Sequence, residues 1–262
     1  MTLDWSGLDA GILGPACAAG LIVLSTHVPL GTRVLARGII FIDLAIAQVA
    51  GLGVILAQFL GADESGWGVQ LAAALAALAG AALLSWTDRR WPAQQEAVIG
   101  TLFVLAATGG LLLLAHNPHG GEHLKDLLVG QILWVGYGQL VPAWLLSVAL
   151  LGVIARLGER LEGAWFYGVF ALAITASVQL VGVYLVFASL IVPALATAGL
   201  RGRARLGVAY AIGVAGYLGG LASSAVLDLP SGALIVWALV VAGLLARGAA
   251  ALVARRGRAR TA

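Results

Sequence analysis

An acidic side chain lies inside a hydrophobic run that is long enough to cross a membrane. Asp43 and, five residues later, Gln48 stand within the segment FIDLAIAQVAGLG. An ionised carboxylate in the hydrocarbon core costs about 3 kcal/mol or more, so an acid kept there points to a functional site. Asp43 is predicted to be a pathway carboxylate that handles a cation or a gate. The alternative is a helix-end acid that reaches back to pair with Arg33 or Arg37.

The two polar side chains of this run do not share one helix face, because five residues turn a helix by about 140°. A second acid, Glu96, stands at the start of a later apolar run, just after Pro92. It is interpreted either as part of the same pathway or as a first-turn acid that complements the helix dipole. His27 lies near the end of the first apolar run, where we expect an interfacial residue.

Three of the four histidines fall within eight residues of a polar segment, 116–126. Imidazole and carboxylate groups together suit Zn²⁺ or Mn²⁺. Glycines 120 and 121 favour a loop over a helix here. The segment is therefore either a hydrated outer loop or a set of metal ligands, which would be His116, His119, Glu122 and His123.

A proline interrupts the apolar segment VYLVFASLIVPALATA near a cluster of arginines. Pro193 is expected to break or kink the helix. Arg201, Arg203 and Arg205 follow after a stretch of small residues. This pattern predicts either a short surface helix suited to docking a cytoplasmic partner or a kinked helix end.

The composition is that of a membrane protein. The 262 residues are 61% hydrophobic and 10% charged, whereas soluble domains carry about 25% charged residues. The mean hydropathy is +1.00, and apolar runs of about 20 residues recur along the chain. The sequence predicts an all-α polytopic membrane protein with eight or nine transmembrane helices. Residues 1–262 are expected to form one transmembrane domain with a basic tail at about 251–262.

Nine candidate spans are predicted, at residues 10–28, 38–60, 67–86, 94–115, 132–155, 163–178, 180–200, 206–227 and 231–250. The sixth and seventh share one nearly unbroken apolar stretch, which fits two short helices or one span with a re-entrant piece. With nine spans, 14 of the 15 Lys and Arg residues fall on one side, and only Lys125 lies on the other. The positive-inside rule makes the arginine side cytoplasmic, with the N-terminus outside and the C-terminus inside.

Several enzyme classes are excluded by missing motifs. No phosphate-binding G-x-x-x-x-G-K-[ST] loop is present, because the only lysine, Lys125, follows Leu124. The H-E-x-x-H and G-x-S-x-G motifs are also absent. Isolated polar groups inside spans fit a transporter rather than an enzyme. A stand-alone carrier driven by protons, with Asp43 as the proton site, remains an alternative.

Three segments taken together resemble the integral-membrane permeases of the ABC-3 family, the zinc, manganese and iron ABC importers. They are HVPLGTRVLARGIIFIDLAIAQVAGLG from His27, EAVIGTLFVLAATGGLLLLAHNPHGGEHLKDLLVGQILWV from Glu96, and GVYLVFASLIVPALATA from Gly182. Their order and spacing fit the family from about residue 25 to 240. A later echo, LDLPSGALIV, begins at Leu227.

The resemblance implies a type II ABC importer-like permease, a homodimer in the cytoplasmic membrane. It also implies a separate cytoplasmic ATPase and an extracytoplasmic protein that delivers a divalent transition metal. Zinc is favoured over manganese or iron, and no permanently bound cofactor is expected. The segment from Pro193 to Arg205 would meet the ATPase. Many family members carry a histidine where this chain has Gln48, and a carboxylate and amide path suits Mn²⁺ no worse than Zn²⁺.

Overall fold

The computed structural model describes residues 10–62, 66–115, 128–130 and 132–259. Across these residues the chain forms nine α-helices and no β-strand. The helices are α1 (Ala10–Arg37), α2 (Ile42–Phe59), α3 (Trp67–Arg90), α4 (Gln95–Leu114), α5 (Tyr137–Leu157), α6 (Gly163–Val181), α7 (Val183–Ala196), α8 (Gly202–Leu227) and α9 (Ser231–Ala259). Short 3₁₀ turns follow α3, precede α5 and follow α5, at Pro92–Gln94, Ile132–Trp134 and Gly158–Arg160.

Eight of the nine described helices are long and apolar enough to cross a membrane. The exception is α7, whose 14 residues reach only about 21 Å against a hydrocarbon core of about 30 Å. Each predicted span corresponds to one helix, so the predicted all-α polytopic fold is confirmed. The uncertain stretch from 163 to 200 proves to be a full-length α6 followed by the short α7.

The first helix continues well past its predicted end at residue 28, because Pro29 does not terminate it. A proline has no N–H to offer the carbonyl four residues earlier, which here belongs to Ser25. That carbonyl instead accepts a hydrogen bond from the Tyr210 hydroxyl of α8, at 3.0 Å. Neighbouring helices commonly satisfy the groups that a proline frees in a membrane span. α1 therefore runs unbroken to Arg37.

Consecutive helices alternate in direction, and this places the described arginines at one end of the bundle, here called the arginine end. Contacts between distant segments support the arrangement. Arg33 Nη2 donates to the Gly158 carbonyl at 3.0 Å, and Arg37 Nη2 donates to the Leu161 carbonyl at 3.1 Å. The guanidinium of Arg37 also lies 4.0 Å from the centre of the Phe166 ring.

Helix α6 forms the centre of the bundle and contacts α1, α2, α3, α5 and α7. Phe166, Tyr167 and Phe170 are fully buried on it. The Phe166 ring lies 5.5 Å from Tyr167 and 5.7 Å from Phe170. This aromatic cluster near the arginine end fixes the helices that carry the polar residues described next.

At the opposite end, two glycines bring distant backbones into direct contact. Gly130 (φ 68°) and Gly182 (φ 81°) both adopt the left-handed region. A Cβ on Gly182 would lie 2.4 Å from the Gly130 nitrogen, and a Cβ on Gly130 would lie 2.3 Å from the Val181 carbonyl carbon. Only glycine fits both the angle and the space. The break between α6 and α7 therefore seats the segment that leads into α5.

Candidate functional site

The packing of α2 decides which neighbours Asp43 faces. Gly53 of α2 lies against α3, at a spacing where a Cβ would be 2.6 Å from the Ala76 side chain. Leu52 and Ile55 contact glycines of α4. α6 and α7 are the other helices packed on α2. By helical periodicity, the remaining side of α2 carries Asp43, and this side faces α6 and α7.

The start of α2 is also tied to α7 and α4. The rings of Phe41 and Phe187 stack with centres 6.4 Å apart and planes 6° apart. The Phe41 backbone N–H donates to Oε1 of Glu96 at 3.3 Å. Because Phe41 precedes α2 and offers no side-chain cap, an acid of α4 satisfies one of the free N–H groups at this helix start. These contacts fix the turn that holds Asp43.

The Asp43 carboxylate is buried and has no hydrogen-bond partner among the described residues. Its side chain is 1% exposed, and neither oxygen has a hydrogen bond in the described part of the chain. The backbone N–H groups of Asp43 itself and Leu44 lie near it, but without hydrogen-bond geometry. Arg33 and Arg37 do not pair with it, since both bind backbone carbonyls elsewhere. A buried acid left unpaired in a span is costly and is typical of a pathway residue.

The other two predicted pathway residues take different positions. Gln48 is half-buried and, by its helical angle, lies away from Asp43 on the side of α2 that faces α4. Glu96 lies in the first turn of α4. One of its oxygens binds the Phe41 N–H, and its other oxygen is buried without a partner among the described residues. The structure thus brings Glu96 to the turn that carries Asp43, while Gln48 stays apart.

A fully satisfied polar network lies next to Glu96, and sequence reasoning missed it. Gln95 is 2% exposed. Its Oε1 accepts from the Thr87 hydroxyl at 2.9 Å, and its Nε2 donates to the Leu84 carbonyl at 2.9 Å and to the Tyr167 hydroxyl at 3.0 Å. The network locks the turn between α3 and α4 onto α6. The adjacent side chains Gln95 and Glu96 therefore have different roles. Gln95 is fixed by hydrogen bonds, whereas one oxygen of Glu96 has no partner among the described residues.

His27 was expected at an interface, and this expectation is wrong. The imidazole is completely buried, because α1 continues for ten residues beyond it to Arg37. Nδ1 lies 2.9 Å from the Val23 carbonyl and 3.1 Å from the Thr26 hydroxyl, while Nε2 has no partner among the described residues. The signal that could have found it is the proline two residues later, which a membrane span tolerates.

The predicted outer-loop ligands His116, His119, Glu122 and His123 lie outside the described residues, so that prediction stays a prediction. Within the residues that the structure describes, no group of three or more His, Cys, Asp or Glu side chains is arranged to hold a metal ion.

The segment predicted to meet a partner lies at the arginine end. Pro193 sits inside α7, three residues before the helix ends, and the Thr197 hydroxyl donates to its carbonyl at 2.7 Å. A tight turn then leads directly into α8, and the described chain has no separate surface helix here. Arg247 of α9 secures the end of α7 by donating to the Leu195 carbonyl at 3.0 Å.

The arginines after this turn differ in their surroundings. Arg201 precedes α8, and Arg203 is exposed in its first turn. Arg205 is half-buried, and its Nε has no partner among the described residues. Cationic groups that stay unpaired at the end of a bundle are suited to an acidic partner surface.

Comparison with known proteins identifies the family. The ABC 3 transport family matches residues 10–161 and 157–248, and the chain belongs to it. No curated protein is similar enough to match the sequence.

Two solved structures share the fold. One is PsaBC from Streptococcus pneumoniae in complex with Fab, with a TM-score of 0.73, 19% identity, and coverage of 90% of each chain. The other is described as an inward-facing conformation of a metal-chelate type ABC transporter, with a TM-score of 0.53 and 14% identity. That match covers 89% of this chain and 74% of the other. Both support an all-helical ABC transporter permease fold.

Proposed function

We propose that this chain is the permease subunit of an ABC importer that moves a divalent transition metal ion, with zinc favoured over manganese and iron. Membership of the ABC 3 transport family supports the transport class. The description of one similar structure as a metal-chelate type transporter supports a metal cargo. The observation that carries the proposal is the Asp43 carboxylate, buried in a span with both oxygens unpartnered among the described residues.

The residues of the proposed pathway differ in how many oxygen atoms they can offer to a metal ion. Asp43 offers two oxygens that make no hydrogen bond with the described residues, and carboxylate oxygen is a ligand for Zn²⁺ and Mn²⁺ alike. Glu96, beside the same turn, has one oxygen without a partner in the described part of the chain, and this oxygen would stabilise a cation at the mouth of the path. Gln48 supplies a neutral amide on the side of α2 that faces α4. Two copies of the chain would form the transporter as a homodimer.

The proposal requires partners that supply energy and cargo. A separate ATPase docks at the arginine end, on the segment that contains Pro193, Arg201, Arg203 and Arg205. An extracytoplasmic metal-binding protein delivers the ion at the opposite end, near the histidine-rich segment 116–126. This assembly lies in the cytoplasmic membrane, with the N-terminus of this chain outside and its C-terminus inside.

Metal accumulation in a deletion strain tests the proposal. Cells that lack the gene are starved of metal, and their zinc, manganese and iron contents are measured with and without the restored wild-type chain. We expect restored uptake of one metal, which depends on an ATPase that co-purifies with the tagged chain. If metal uptake continues without the ATPase but stops when an uncoupler is added, the chain is a proton-driven carrier. Unchanged contents of all three metals would refute metal import.

A further inference from the structure

A groove of about 350 Å³ lies between α2, α3 and α4, away from the Asp43 side of α2. Its floor includes Gly53 and Gly80, which are buried. Its rims include Leu56 and Leu83, which are 46% and 44% exposed, so the groove opens to the outside of the bundle. The volume is within the range of about 300–1,000 Å³ that is common for ligand pockets.

Every residue that lines the groove is Val, Leu, Ala or Gly. The three helices that form it are all candidate membrane spans. A groove that faces hydrocarbon and has no polar lining is chemically suited to an acyl chain. The turn between α3 and α4 is held at the arginine end by the hydrogen bond from Thr87 to Gln95.

The side of α3 that lines the groove ends, at the arginine end, in a tryptophan and an arginine. Ala79, Leu83, Trp86 and Arg90 follow a spacing of three or four residues, so they lie on one side of the helix. Arg90 is about 10 Å beyond Leu83 along the axis. Trp86 is half exposed and packs edge-on against Trp91, with ring centres 5.3 Å apart. Tryptophans in such positions mark the level of the lipid headgroups.

The two arginines at this helix end differ. Arg89 is held by its own helix, because its Nε donates to the Ser85 carbonyl at 3.2 Å and its Nη2 to the Ser85 hydroxyl at 3.3 Å. Arg90 is exposed and makes no hydrogen bond or ion pair with the described residues. Its guanidinium is free to bind a phosphate group at the end of the apolar stripe.

We infer that this groove binds one anionic phospholipid, with an acyl chain along α3 and the phosphate at Arg90. Two features favour a lipid over a second copy of the chain. The lining offers only apolar contact, and Arg90 at its end carries a positive charge, which complements a phosphate. The site is separate from the proposed metal path, because the groove and Asp43 lie on different sides of α2.

Native mass spectrometry of the intact chain in mild detergent tests this inference. The chain is mixed with equal amounts of phosphatidylglycerol and phosphatidylethanolamine that carry identical acyl chains. We expect about a fivefold preference for phosphatidylglycerol, because one arginine near an anionic lipid contributes about 1 kcal/mol. Arg90→Gln should remove the preference, whereas the matched control Arg89→Gln should keep it.

A second pair of variants tests the groove itself. Ala79→Phe fills the groove and should reduce bound lipid of both kinds, whereas Ala82→Phe, at an exposed alanine of the same helix outside the groove, should leave it unchanged. Equal lipid preference in Arg90→Gln and Arg89→Gln would overturn the inference, as would full lipid retention in Ala79→Phe. Conversion of a dimer to a monomer by Ala79→Phe would assign the groove to a second copy instead.

Discussion

Gln95 and Asp43 are both buried polar side chains at helix starts near the arginine end, yet their surroundings differ. Gln95 is 2% exposed and Asp43 is 1% exposed. Gln95 uses both ends of its amide in hydrogen bonds to Thr87, the Leu84 carbonyl and Tyr167. Asp43 has no hydrogen bond within the described residues. Burial is thus the same for the two side chains, and only the presence of partners separates them.

The difference separates a structural role from a functional one. A satisfied polar network stabilises one arrangement of its helices. A buried polar group without a partner costs about 1–3 kcal/mol, and a protein keeps it where function needs a free ligand. Glu96 lies between these extremes, because one of its carboxylate oxygens accepts a hydrogen bond and the other has no partner within the described ranges.

The largest effect is expected for Asp43→Asn. Removing the charge should lower metal uptake about tenfold or more, as losses around a metal ligand commonly do. Thermal stability should stay the same or rise, because an unpaired buried charge is removed. Uptake is measured as cell metal content in the complemented deletion strain, and stability is measured as the unfolding temperature in detergent.

The matched control is Asp228→Asn, at an exposed acid at the opposite end. Its left-handed backbone, φ 50°, accepts asparagine readily. It should leave uptake and stability unchanged. Normal uptake by Asp43→Asn would contradict the pathway role and return Asp43 to a helix-end acid.

Gln95→Ala should produce the reverse pattern. Removing the amide deletes three hydrogen bonds of a buried network, although the Thr87 hydroxyl can still donate to the Leu84 carbonyl at 3.1 Å. The loss should destabilise the protein by about 1–3 kcal/mol. Metal uptake per folded molecule should remain close to that of the wild type. Gln94→Ala, one residue earlier and exposed, is the control and should change neither. If Gln95→Ala abolishes uptake without loss of stability, the distinction between the two buried sites fails.

Glu96→Gln should give an intermediate result. The hydrogen bond from the Phe41 N–H is retained, because the glutamine amide oxygen also accepts it. The negative charge of the carboxylate is lost. Uptake should fall about threefold, as for the loss of a partly screened charge worth under about 1 kcal/mol. Stability should barely change. A loss of uptake as large as that of Asp43→Asn would place Glu96 in direct contact with the ion.

The number of helices and the position of Asp43 could be predicted, because apolar runs and arginine placement follow directly from the bilayer. The burial of His27 could not, since its prediction depended on the first apolar run ending at residue 28, whereas α1 continues past Pro29 to Arg37. The carbonyl that Pro29 frees finds a partner in Tyr210, which is 185 residues distant from Ser25. The Gln95 network was missed for the same reason, because Tyr167 lies 72 residues away. Local sequence does not reveal such partners.

Two arginines at the arginine end differ in the same way as these buried side chains, and the smallest effects are expected for them. Arg247 is paired with the Leu195 carbonyl at the end of α7, whereas the Nε of Arg205 has no partner in the described part of the chain. Arg247→Gln should lower the unfolding temperature by about 2 °C, because it removes one hydrogen bond. Arg205→Gln should leave that temperature unchanged.

For Arg205→Gln the expected effect lies in the partner. The stimulation of the co-purified ATPase by the permease should fall about twofold, as for one exposed charge pair. Changing Arg201 and Arg203 as well should deepen that loss, whereas Arg247→Gln should not affect stimulation in the folded fraction. If Arg205→Gln, like Arg247→Gln, alters stability but not ATPase stimulation, Arg205 does not dock the ATPase. The rule that an unpartnered buried group marks function would then hold for the acids of this bundle and not for its arginines.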